Sequence, residues 1–184
     1  MTSTIATPAC TAPTRRTVLA ATAAGAAGLM VHSSRAAAED VRELRLGLVG
    51  CGGRGAGAIR DSLSINEGVR LVAAADLEAS RCAGLEKTLA GRFPGRIELT
   101  DATMHGGLDG YRRLLDDPQV DVVLFATSPG FRPGHVKAAV EAGKHVFAEK
   151  PSCVDPAGYR TCLEAHDLAV SQGTAIVTGT QYRR

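Results

Sequence analysis

The chain has 184 residues, of which 45% are hydrophobic, 22% charged and 4% aromatic, with no tryptophan. That length suits one ordinary domain and is too short for two full ones, and the composition excludes both a disordered chain and a membrane-embedded one. The formal net charge of +2 comes from three arginines in the first 38 residues; beyond them 18 basic residues face 19 acidic ones, so charge gives no reason to expect nucleic acid or an anionic lipid surface as a partner.

Residues 1–38 read as a leader. They run from a polar, cationic start through a mildly apolar Ala/Gly stretch to Ala36-Ala37-Ala38, just before the first acidic residue, Glu39. This is the layout of a secretory signal cut between Ala38 and Glu39. The pair Arg15-Arg16 in "TRRTVLA" points to the twin-arginine route, hence to export into the periplasm or beyond. The apolar run is shorter than the roughly 20 residues that a bilayer requires, so no stable membrane span is expected.

From 39 to 184 strand and helix signals alternate. "LRLGLVG" (44–50) predicts a buried strand, "RGAGAIRDSLSI" (54–65) a helix, "VRLVAAAD" (69–76) a strand and "EASRCAGLEKTLAGRF" (78–93) a helix. "DATMHGGLDG" (101–110) reads as a loop, followed by a short helix, "YRRLLDDP", that stops at Pro118. Then come a strand at 120–127, a helix at 135–143 and a strand at 145–149. A last helix has Pro156 in its first turn and stops at Gly173, and a strand follows at 175–179. Such alternation, with nearly continuous apolar strands, specifies an α/β fold: a doubly wound parallel sheet covered on both faces. Ligands of such sheets bind outside the carboxyl ends of the strands, near the switch point.

Four cysteines remain after the leader: Cys51, Cys82, Cys153 and Cys162. They form no CxxC pair and have no histidine at metal-ligand spacing, so they read as small, mostly buried thiols and no metal site is expected. An oxidising compartment would permit a disulfide, but spacing nominates none.

The first strand runs into Gly50-Cys51-Gly52-Gly53-Arg54-Gly55, a G-x-G-x-x-G run that opens a helix. Its glycines serve a tight turn, close approach of backbone to a pyrophosphate, and close packing of helix on strand, giving a Rossmann-type fold. Asp76 ends the second strand, where a carboxylate accepts from the ribose hydroxyls of NAD or else caps the helix starting at Leu77. That carboxylate also repels a 2′-phosphate, which favours NAD, while Arg81, one turn on, is placed to meet such a phosphate and keeps NADP as the alternative. Thr127 and Pro129 follow the strand at 120–127 and are expected along the cofactor trough. His135 either begins the next helix or caps it. "HVFAEKP" (145–151) ends a strand on Glu149, Lys150 and Pro151, at the sheet edge where ligands bind.

"GLVGCGGRG", "VLFATSPGFRPGHVKAAVEAGKHVFAEKP" and "GTQYRR" resemble the nucleotide-binding half of the Gfo/Idh/MocA oxidoreductases, which include glucose–fructose oxidoreductase and inositol dehydrogenase. The resemblance covers about 41 to 184. It implies an NAD(P)-dependent dehydrogenase of sugars, polyols or their derivatives, with Glu149-Lys150-Pro151 beside the nicotinamide. It also implies a cis bond before Pro151, which would turn Lys150 into the site. The ammonium would then assist proton transfer while hydride moves, with Glu149 holding the lysine or contacting the nicotinamide ribose. "SPGFRPGH" departs from the pattern of many relatives, so no substrate contacts are carried over there. The family's second, substrate-binding domain would begin where the chain stops, at Arg184. A fragment that binds cofactor and turns over poorly is therefore expected, with homo-oligomers only in the full-length form. Two rivals are a non-catalytic NAD-binding protein or subunit completed by a partner, and an S-adenosylmethionine-dependent methyltransferase. The methyltransferase fits "AEKP" poorly.

Overall fold

The computed structural model describes residues 43–179; the leader, its cleavage point and the closing "TQYRR" lie outside them. Six strands form one parallel sheet: β1 (Leu44–Val49), β2 (Val69–Asp76), β3 (Met104–Gly106), β4 (Val122–Phe125), β5 (His145–Ala148) and β6 (Ile176–Thr178). Their order across the sheet is β3-β2-β1-β4-β5-β6, so the chain reverses direction of travel between β1 and β4. The five helices are α1 (Gly53–Ile65), α2 (Ala79–Ala90), α3 (Gly110–Leu115), α4 (Arg132–Glu141) and α5 (Pro156–Gln172). This is the doubly wound arrangement that the alternating pattern predicts.

Two cores explain why the strands are apolar on both sides. Successive strand residues point to opposite faces. Leu48 and Ala74 join Ile59, Leu63, Leu85 and Leu89 under α1 and α2. Their neighbours Val49 and Ala75 join Leu114, Val136, Val140 and Ala165 under α3, α4 and α5. Phe125 and Leu48 are fully buried. Among the described residues no helix is long and apolar enough to cross a membrane.

Local chemistry sets the helix ends. Asp155 caps α5, its Oδ1 accepting from the Gly158 N–H at 2.7 Å, Pro156 occupies the first turn, and Gly173 closes the helix at φ 72°. Two expectations need correction. The stretch 101–110 is not all loop, because Met104–Gly106 pairs in parallel with Ala74–Asp76. Three residues at a sheet edge carry no readable periodicity; pairing with a neighbour creates the strand. Helix α4 begins at Arg132 rather than at 135, since Pro133 is well suited to a first helical turn.

Candidate functional site

The carboxyl ends of β1, β2 and β4 meet around the turn from β1 into α1. Gly50 has φ 97°, and a Cβ there would lie 2.9 Å from the Ala126 carbonyl carbon. A Cβ on Gly55 would lie 1.9 Å from the Gly50 carbonyl oxygen. These two glycines are demanded by the fold itself. The pair between them is not: a Cβ on Gly52 would meet only an Arg81 guanidinium nitrogen at 3.7 Å, and one on Gly53 nothing within 4 Å. Gly52 caps α1 without a side-chain hydrogen bond, and the first turn holds no acidic residue. The positive end of the helix therefore faces open space, as an anionic pyrophosphate requires.

Asp76 is tied to that turn. Its Oδ2 accepts from the Cys51 N–H at 2.7 Å and its Oδ1 from the Glu78 N–H at 3.1 Å. Arg81 approaches at 3.8 Å while also pairing with Glu78. Helix α2 starts at Ala79, two residues later than Leu77, and Asp76 is not its cap. Each carboxylate oxygen has a lone pair to spare, so Asp76 can hold the loop and still accept from a ribose hydroxyl. Below the loop the Cys51 and Cys82 sulfurs lie 3.6 Å apart, both buried thiols, a pairing that spacing did not reveal. Contact with Cys82, together with burial, pushes the Cys51 thiol far above its ordinary range.

A cleft of about 700 Å³ crosses these strand ends, lined by Gly50, Gly52, Asp76, Arg81, Thr127 and His135 among others. A larger hollow of about 970 Å³ lies beside α1 over the sheet face, between Asp61, Asn66, Leu124 and Phe147. Apart from Arg54 it holds none of the candidate site groups, so the chemistry favours the smaller cleft. Pro129 is half-buried in the turn after β4 and does not line the cleft.

His135 is neither the first residue of α4 nor its cap. It sits one turn inside, with its ring 4.2 Å from that of Tyr111 and Nδ1 3.2 Å from Thr127 Oγ1. Burial, reinforced by Arg112 and Arg132, lowers its pKa to about 4. The unfolded chain takes up that proton near pH 6.5 and so binds more protons between the two values. Stability is therefore full above about pH 6.5 and falls as the pH drops toward 4. Urea unfolding of His135→Phe across this range should show a flatter pH dependence than the parent, by up to about 1.4 kcal/mol per pH unit. An unchanged slope would assign the effect to other groups; His105, also lowered by burial, is the first of these.

At the end of β5, beside β4, Glu149 is 3% exposed and accepts from Arg54 Nε at 2.8 Å and from Arg54 Nη2. The carboxylate thus joins the glycine loop to the end of β5; it is not bonded to the lysine. Lys150 is exposed, its ammonium without a partner among the described residues, and the Lys150–Pro151 bond is cis. Tyr111 and buried Arg132 were missed in the sequence. A cation followed by proline at a helix start runs against the helix dipole, and that signal in "FRPGH" could have flagged Arg132.

Residues 44–179 match the family GFO_IDH_MocA, described as an oxidoreductase family with an NAD-binding Rossmann fold. An inositol 2-dehydrogenase of Acidothermus cellulolyticus is 33% identical over 124 residues, covering 67% of this chain and 33% of the relative. A protein named glycosyl hydrolase family 109 protein 2, from Shewanella sp. (strain ANA-3), is 37% identical over 109 residues, covering 59% of this chain and 23% of the relative. The chain thus spans a third or less of the length of these curated relatives. Among solved structures, an NAD binding oxidoreductase from Klebsiella pneumoniae superposes with a TM-score of 0.58 at 27% identity, covering 76% of this chain and 34% of that one.

Proposed function

The chain belongs to the GFO_IDH_MocA family of oxidoreductases with an NAD-binding Rossmann fold, and from that premise we propose that it is the cofactor-binding half of an enzyme moving hydride to or from a sugar, polyol or related derivative. The observation that carries this is the open start of α1. Gly52 and Gly53 leave room for a dinucleotide pyrophosphate, and Asp76 stands fixed at the next strand end. When bound, NAD would supply the hydride acceptor or donor. The protein's part is then to bind phosphate at Gly50–Gly55, to orient the ribose at Asp76, and to move a proton at the Lys150 ammonium. Glu149 and Pro151 flank that lysine in the chain; Thr127 lines the cleft, whereas Glu149, Lys150 and Pro151 follow the end of β5 outside its lining.

The name of the inositol 2-dehydrogenase relative supports a polyol-like substrate. The 37% identity to a protein named as a glycosyl hydrolase supports a second reading, glycoside cleavage, which leaves no net change in NADH. An assay following both NADH and released sugar separates the two. In our reading Arg15-Arg16 directs export by the twin-arginine route, and a full-length member of the family would form homo-oligomers.

Cofactor choice tests the site. Titrated by nicotinamide fluorescence, the protein should bind NADH more tightly than NADPH, because the Asp76 carboxylate repels a 2′-phosphate. Asp76→Ala should weaken NADH about tenfold and narrow the preference, because the repelling carboxylate is gone while Arg81, still paired with Glu78, remains beside the phosphate's position. Equal affinity for both cofactors before and after the change would remove Asp76 from the site. Failure to bind either would overturn the reading.

A further inference from the structure

Arg132 is only 3% exposed, yet it stands in the first turn of α4, where the helix dipole disfavours a cation. Burial shifts its pKa downward, and of the neighbouring charges Glu149 opposes that shift. A buried guanidinium in such a place needs partners of its own. It has two, both backbone carbonyls: Nη1 donates to the Pro151 oxygen and Nη2 to the Thr127 oxygen, while Nε stays buried without a partner among the described residues. The planar fork of an arginine holds two acceptors at a fixed separation, which a lysine cannot do.

These two carbonyls belong to the segments that matter most. Thr127 lines the cleft after β4, and Pro151 follows Lys150. On the other side of Lys150, Glu149 is held by Arg54 from the glycine loop. Each neighbour of the lysine is therefore fixed by a guanidinium from a different element, while the lysine's own ammonium is left unbonded among the described residues.

We propose that Arg132 is a positioning residue for Lys150: it locks the strand end carrying the lysine to the loop lining the cofactor cleft, so that the ammonium stands at the reacting end of a bound nicotinamide. This rests on the reading of the cleft as the NAD site. A tie serving only stability would leave the lysine's relation to cofactor unchanged.

The test uses the 184-residue chain and trace acetylation of Lys150, read by mass spectrometry with and without saturating NADH. In the parent, NADH should shield Lys150. In Arg132→Gln that shielding should fall about tenfold, the scale of one lost hydrogen bond from a charged group, while NADH affinity falls by less, about threefold. Arg132→Lys should restore only part of the shielding, since it can reach one carbonyl at a time. Ethylguanidinium added to Arg132→Ala should restore shielding, and it covers the case in which the glutamine variant fails to fold. Parent-like shielding in Arg132→Gln or Arg132→Ala would overturn the positioning role alone. So would shielding and affinity lost in equal proportion, which would make Arg132 part of cofactor binding. If the parent binds no NADH, or NADH leaves its Lys150 unshielded, the NAD-site reading falls first and the proposal with it.

Discussion

Lys150→Met is expected to slow hydride transfer by roughly 10²–10⁴-fold while leaving NADH affinity within about threefold of the parent, the range that loss of one positioned general acid or base produces. The neighbouring carboxylate cannot take over easily, because Glu149 is buried and bonded to Arg54. Methionine keeps most of the stem and removes only the ammonium. Lys150 is exposed, so the cost to folding should be small. The measurement is kcat and KM on the protein as its source makes it, with NADH formation and sugar release followed together. A fall in kcat with KM for cofactor held would mark an interaction made in the transition state. A rate near the parent's would move proton transfer to another group. A loss of NADH binding would place Lys150 in binding instead.

Gly55→Ala should be the most damaging single methyl group in the domain. Its Cβ would lie 1.9 Å from the Gly50 carbonyl oxygen and 3.1 Å from the carbonyl carbon, both backbone atoms, with Leu48 Cδ1 at 3.2 Å. No flexible side chain can swing away, so the loop or helix must shift. Overpacking of this kind costs about 1–3 kcal/mol or more, and here it would also displace the α1 N–H groups that we propose bind the pyrophosphate. Urea unfolding and NADH titration should both show the loss. Gly53→Ala is the contrast. Its Cβ meets nothing within 4 Å and its φ is not positive, and alanine for glycine at such a position gains about 0.4–1 kcal/mol by restricting the unfolded chain. That variant should keep or gain stability while NADH binding weakens, if the open space at Gly53 holds the pyrophosphate as we propose. Equal loss of stability in both variants would refute the division of labour between the two glycines.

Much of this architecture was legible in the residues. The turn at Gly50, the close approach at Gly55 and the alternation of strands with helices all follow from local patterns. Such patterns repeat with a period that the chain carries along its own length. Strand β3 was not legible, because three residues have no period and the edge of β2 supplies their hydrogen bonds. The start of α4 was read three residues late, since Arg132 hides a helix opening behind an unfavourable charge.

The site divides in the same way. Sequence alone identified which groups gather at the strand ends: the glycine loop, Asp76, Thr127 and the Glu149-Lys150-Pro151 run. It could do so because a parallel sheet brings every strand's carboxyl end to one edge. Only the tertiary structure decided who bonds to whom. Glu149 meets Arg54 across 95 residues of chain, Asp76 meets the Cys51 N–H, and Arg132 spans the carbonyls of Thr127 and Pro151. A carboxylate or guanidinium has several equivalent partners within reach in a strand-end cluster. Burial, distance and the geometry of neighbouring backbones choose among them, and none of these is a property of the chain before it folds.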